Sequence, residues 1–338
     1  MYQPFHPFYN RPTGIDIQRQ QEKRSLRRDA AYIGTLSIVL TLVMQFAFTF
    51  IVIFLVKCGV LSSENLDQAN LGLDNTAYMF LYMCVYVLSL FVPAWIVSLC
   101  FKKRLSPFSP AEPVSFGVTF FGILAAVGLC MLANVLNSYF LYFFTEMGLY
   151  VPDAPQTMVE TPTSLALNLF TMAVLPALLE EMIYRGYILR TLRPYGNLVA
   201  VLISSLLFSL MHGNLRQIPF AFIVGLILGL LYVSTNNIWL AIVVHFTNNA
   251  ISVLMEYFSF SLPQANQNLF YTLVIYGLIA LGVLCILILV LGYFKQLCFR
   301  RADTLLSFSE SLGVLFSSPL FIVAVVMYIL LLLMELWT

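Results

Sequence analysis

Charge is scarce in this chain. Only 10% of its 338 residues are Asp, Glu, Lys or Arg, 60% are apolar, and the mean hydropathy is +0.89. A soluble globular chain is about a quarter charged and under half apolar, so a water-soluble fold is excluded. The formal charge of +1 carries no signal for nucleic acid. Paired cysteines are lacking too: the six are far apart with no C-x-x-C, and they read as small buried side chains, not a disulfide frame or a metal site. There is no H-E-x-x-H, no internal repeat and no Gly/Ser linker, and nothing marks a separate soluble domain. The first 29 residues have no short apolar core followed by small residues, so they read as a tail and not as a cleavable signal.

What the chain has instead is long apolar runs. Helices are expected near 31–56, 77–101, 115–145, 165–192, 198–212, 217–234, 238–258, 269–294 and 316–337. The fold class is therefore all-α: a polytopic transmembrane helical bundle of about nine spans, or eight if the short fifth or sixth segment is re-entrant. With the N-terminus cytoplasmic, the inner segments collect fourteen of the seventeen Lys and Arg, while the outer loops hold Glu64, Asp67, Asp74, Glu146, Asp153 and Glu160. This divides the chain into a basic tail over 1–29, expected to be disordered, N-terminal helices over 30–146, a central group over 160–258 and C-terminal helices over 268–338. The cluster Lys23-Arg-Ser-Leu-Arg-Arg28 is read first as an orientation signal, with membrane lipid as its partner in the sharper reading.

Ionisable residues within the spans are few, and each needs a protein or aqueous partner. Leu175-Pro-Ala-Leu-Leu-Glu-Glu-Met-Ile-Tyr-Arg-Gly186 places Glu180, Glu181 and Arg185 in the fourth run. Glu181 and Arg185, at i and i+4, share one face in the favourable order for an ion pair. Glu180 points about 100° away and has no partner on its own helix. Pro176 frees the carbonyl of Met172 and should loosen the helix there. A polar clamp between helices and a catalytic, ion-coupled or transport site are both open on this triplet.

Two histidines follow on apolar helices, while His6 in the tail has no evident role. His212 ends Phe208-Ser-Leu-Met-His212, and by count it lies about 20 Å from the Pro194–Asn197 turn, as Glu180 does, so the two can meet. His245 and Asn249 share a helix face in His245-Phe-Thr-Asn-Asn249. His245 is only about 12 Å from its own turn, and reaches the level of Glu180 if the Arg190–Arg193 hairpin projects roughly 10 Å beyond the bilayer. Gly225-Leu-Ile-Leu-Gly229 reads as close packing within the bundle in preference to a dimer face.

A carboxylate, two imidazoles and a carboxamide in a membrane bundle fit hydrolysis. The carboxylate and one histidine would take a proton from water, and the second histidine and the amide would donate to the oxyanion. Zinc held by Glu180, His212 and His245 is the competing arrangement.

These residues carry a resemblance. Glu180-Glu-Met-Ile-Tyr-Arg185, Phe208-Ser-Leu-Met-His212 and His245-Phe-Thr-Asn-Asn249 resemble the E-E-x-x-x-R, F-x-x-x-H and H-x-x-x-N motifs of the CAAX prenyl protease and bacteriocin-processing (CPBP, or Abi) intramembrane proteases, over roughly residues 160–258. The resemblance implies a catalytic core with a cavity in the membrane, and cleavage of a membrane-bound or lipidated (CAAX-like) peptide with no cofactor required. It implies that Glu180 activates water with His212, that His245 and Asn249 form the oxyanion hole, and that Glu181 and Arg185 hold the constellation. The expected location is a bacterial plasma membrane, with the site opening toward the cytoplasm. A non-proteolytic immunity or scaffold protein binding a peptide in the same cavity is the alternative.

Overall fold

A computed structural model describes residues 13–62, 64, 70–103, 106–108, 111–149, 151, 159, 161–293 and 302–335. His6, Asp67, Asp153 and Glu160 lie outside the described residues, as do Arg11, Arg104, Lys295, Arg300 and Arg301 of the basic segments and Cys298. Among the described residues every regular element is helical. Backbone in lipid must satisfy its own hydrogen bonds, and helices do so within one segment.

In chain order the helices are α1 (Gly14–Lys57), α2 (Asn75–Cys100), α3 (Phe116–Glu146), α4 (Pro162–Tyr195), α5 (Asn197–Met211), α6 (Ile218–Thr235), α7 (Ile238–Phe260), α8 (Gln264–Tyr293), α9 (Phe308–Leu315) and α10 (Pro319–Glu335). Seven of them are long and apolar enough to cross a membrane, and α9 with α10, bent at 82°, would make an eighth. The nine-span reading counted α5 as a crossing. At 15 residues α5 is about 22 Å long, short of the ~30 Å hydrocarbon core.

The expected disorder of the tail is corrected from residue 14 onward. Thr13 and Asp16 close a capping box, with Thr13 Oγ1 accepting from the Asp16 N–H at 3.2 Å and Asp16 Oδ2 accepting from the Thr13 N–H at 2.9 Å. Leu26, Asp29, Ala30 and Ile33 then form a buried stripe at helical spacing, leaving Arg24, Arg27 and Arg28 exposed. Only one apolar member of that stripe precedes residue 29, too little for periodicity to reveal. The cysteines divide as well: Cys130 and Cys285 are buried as expected, whereas Cys58 and Cys100 are exposed at helix ends.

α4 is the axis of the bundle. Ile183, Tyr184, Arg185 and Ile188 are almost wholly buried, enclosed by α1, α2, α5 and α6. α8 lies along α3, where a Cβ on Gly128 would stand 2.6 Å from Gly282 Cα, so only glycine permits that approach. The Gly225/Gly229 pair does what its spacing implied: α6 packs there on α5 and α4 inside one chain. A Cβ on Gly225 would sit 3.0 Å from Ser205 Cβ and 3.3 Å from Phe208 Cδ1. Gly225→Val is therefore expected to cost about 1–3 kcal/mol by overpacking, read as a lower melting temperature of the purified protein. An unchanged melting temperature would show that α6 moves aside freely.

Candidate active site

The site is built on an irregular stretch of α4. Leu175–Glu181 is α-helical, but π-helical turns, Leu169–Val174 and Met182–Leu189, flank it on both sides. Pro176 is one cause. It has no N–H for Met172 O, and the Leu175 N–H bonds Phe170 O, five residues back. The vacated Met172 carbonyl accepts from Asn249 Nδ2 of α7 at 3.1 Å. A side-chain amide thus replaces the missing backbone donor and pins α7 to α4.

Glu181 and Arg185 pair as their spacing demands. Arg185 Nη1 donates to Glu181 Oε1 at 2.8 Å, and Nη2 donates to Gly225 O of α6 at 2.9 Å; both side chains are fully buried. The guanidinium carbon lies 4.8 Å from the centre of the Phe208 ring. Glu181 Oε1 also accepts from His245 Nδ1 at 3.0 Å, which turns His245 Nε2 toward Glu180, 3.8 Å from its Oε2. Glu180 and His245 therefore meet at one level of the bundle.

Glu180 has its partner on another helix, as the spacing required. Tyr86 of α2 donates its hydroxyl to Glu180 Oε1 at 2.6 Å, leaving Oε2 on the His245 side. His212 sits at the C-cap of α5, where its Nδ1 donates back to Phe208 O at 2.9 Å. A carbonyl can only accept, so Nδ1 carries the proton and Nε2 of the neutral ring is an acceptor. Among the described residues no hydrogen bond or ion pair joins His212 to Glu180; the imidazole beside Glu180 is His245. Phe208 explains the first letter of its motif: its ring packs edge-on against both histidines, at 5.1 Å from His212 and 5.9 Å from His245.

These groups share one cavity of about 360 Å³, lined by Glu180, His212, His245, Asn248 and Asn249 among apolar and aromatic side chains that include Tyr82, Tyr86, Met211 and Phe220. Because α5 is short, the turn from His212 to Gln217 runs at the cavity's edge, with Gln217 exposed. Non-helical backbone at membrane depth is tolerated where it lines a wet cavity.

The comparisons with known proteins agree with the three motifs. Residues 162–251 match the family model described as type II CAAX prenyl endopeptidase Rce1-like. Over that segment the chain is similar to the Rce1-like family. YdiL of Bacillus subtilis (strain 168), provisionally named a membrane peptidase, is 22% identical over 221 residues, covering 65% of this chain and 87% of that protein. The membrane-embedded CAAX protease MroQ of Staphylococcus aureus (strain USA300) is 27% identical over 116 residues, covering 32% of this chain and 47% of MroQ. No solved structure matches at a comparable level. The family and relatives support assignment as an integral membrane peptidase.

Within the Rce1-like segment all six residues singled out from sequence line the cavity or brace its wall. Among the described residues no three His, Cys, Asp or Glu side chains group to hold a metal ion. His212 turns its Nδ1 back to Phe208 O at the C-cap of α5. Sequence reasoning missed Tyr86, whose only mark is a Tyr82/Tyr86 spacing of four on an apolar helix. The two rings stack at 6.2 Å along the cavity wall. Hydrogen bonds to charged groups are worth about 1.5–3 kcal/mol, so Tyr86→Phe is expected to lower kcat for peptide cleavage roughly tenfold or more with the fold kept. An unchanged kcat would mean that the phenol has no part in holding Glu180.

Proposed function

We propose that the chain is an intramembrane endopeptidase that hydrolyses a peptide bond in a membrane-associated or lipidated peptide, using water activated by Glu180 with His212. The observation that carries this reading is the convergence of Glu180, His212, His245 and Asn249, from three helices, on one cavity roofed by apolar side chains. Glu180 and His212 both line the cavity that would hold the water. Glu180 takes the water proton as the oxygen attacks the peptide carbonyl, and the same proton then passes to the leaving amine as the C–N bond breaks.

The oxyanion needs donors. Asn249 uses one amide hydrogen on Met172 O and keeps a second. His245 is set up as the other: Glu181 holds its Nδ1–H, so a further proton on the ring can sit only on Nε2. That nitrogen faces the Glu180 side of the cavity. Glu181 and Arg185 act through His245 and are positioning residues. No step is routed through a metal.

The test is cleavage of membrane-anchored peptides by the purified protein in detergent, followed by mass spectrometry. Activity is expected to persist in chelator and to disappear in His212→Ala. Loss of activity in chelator with recovery on adding zinc would overturn the metal-free reading. Full activity in His212→Ala would remove His212 from the mechanism.

A further inference from the structure

The two ends of the bundle differ in charge, and the cavity belongs to only one of them. At the first end, Asp29 is ion-paired to Lys103 and accepts from Tyr195 Oη at 2.9 Å. There Arg190 donates to Ser106 O at 2.9 Å, and Arg193 donates to Asn236 Oδ1. Arg24, Arg28 and Lys102 are exposed at the same end. These contacts join α1, the loop after α2, the α4–α5 hairpin and the α6–α7 turn into one basic layer. The opposite end has Lys57 and Arg216, together with Glu64, Asp74 and Glu146.

Counting from the basic layer locates the site. Glu180 is 15 residues before Tyr195, Met44 is 15 after Asp29, and Tyr86 is 17 before Lys103; all three line the cavity. At 1.5 Å per residue they lie about 22–26 Å along their helices from the layer, whereas His245, eight residues after Asn237 of the α6–α7 turn, lies about 12 Å from it, so the site spans the middle of a ~30 Å core whose near edge is that layer. Between Glu180 and the basic end, Tyr184, Arg185, Leu189 and Leu192 of α4 are all buried and none of them lines the cavity. On the far side of Glu180 its lining runs on to Tyr82 of α2, Thr171 and Met172 of α4 and the exposed Gln217 before α6.

We infer that the cavity opens on the extracytoplasmic face and takes an exported, membrane-held peptide presented from the outer leaflet. Basic residues mark the cytoplasmic side of membrane proteins, and here they mark the closed end. A lipidated tail approaching from the cytosol would meet the basic layer and the plug beneath Glu180. This inference reverses the expectation that the site opens toward the cytoplasm. The substrate part of this inference rests on the peptidase reading; the sidedness does not.

The test has two arms. Cys58 ends α1 on the cavity side, and Cys100 ends α2 on the basic side; both are exposed. Single-cysteine proteins retaining one or the other are treated with a membrane-impermeant maleimide in intact bacteria. Cys58 is expected to react at once, and Cys100 only after permeabilisation. In the second arm the wild-type protein, in vesicles of known orientation, receives the same lipid-anchored peptide on either face. Cleavage is expected to be at least tenfold faster from the extracytoplasmic face. Reversed labelling, or faster cleavage from the cytoplasmic face, overturns the inference while leaving the peptidase reading intact. Cys58 labelled from outside with no cleavage from either face removes the peptidase reading, and with it the substrate.

Discussion

Glu180→Gln is expected to lower peptide cleavage by about 10²–10⁴-fold with the fold unchanged, the range general acid–base groups contribute. The substitution keeps shape and size, and an amide oxygen can still accept the Tyr86 hydroxyl that Glu180 Oε1 accepts at 2.6 Å. What it removes is the basic oxygen that faces His245 Nε2. Turnover and melting temperature measured on the same preparation separate chemistry from folding. A variant that melts with the wild type and cleaves at more than about a tenth of its rate would not fit a proton-accepting role for this residue.

Arg185→Leu is expected to act mainly on stability. Glu181 and Arg185 are both fully buried, so removing the guanidinium strands a carboxylate in the core. Breaking a buried pair by deleting one partner costs about 3–5 kcal/mol, whereas replacing both members by apolar groups is often close to neutral. The pair Glu181→Leu with Arg185→Leu should therefore recover much of the stability lost in Arg185→Leu. It should not recover activity, because His245 Nδ1 then lacks its acceptor. Denaturant unfolding of the three proteins in one detergent checks the order. A single variant as stable as the wild type would show that the pair is not the brace it is taken to be.

The two effects separate what could be read in the chain from what could not. Apolar runs gave nearly every helix, because in lipid length and hydropathy dictate helix formation. The Glu181–Arg185 pair followed from i, i+4 geometry, and His245 and Asn249 lie on one helix face as their spacing demands. Residue counting brought Glu180 and His212 to one depth. It could not show that α5 ends at Met211, that the His212 ring turns back to Phe208 O, or that His245 stands nearest to Glu180.

Tyr86 and the Asn249–Met172 bond were out of reach for a different reason. Each joins residues 77 or more positions apart, and no local pattern encodes which helices become neighbours. The missing donor at Pro176 announced a carbonyl in need of a partner, but not which partner. The first turns of α1 escaped because a polar, basic helix with one buried stripe resembles a solvated tail until α9 and α10 are seen against it. Arg19 and Lys23 of that segment pair with Glu310 of α9 at 2.7 and 2.9 Å.

The most direct test of water activation in this cavity is isotope incorporation. Chelator-treated protein is given one turnover of a membrane-anchored peptide in ¹⁸O-enriched water, and the new carboxylate is weighed by mass spectrometry. Direct attack by water places one ¹⁸O in that carboxylate, with no peptide fragment left attached to the protein. A fragment covalently held by the protein, or no cleavage by well-folded protein, would contradict the account.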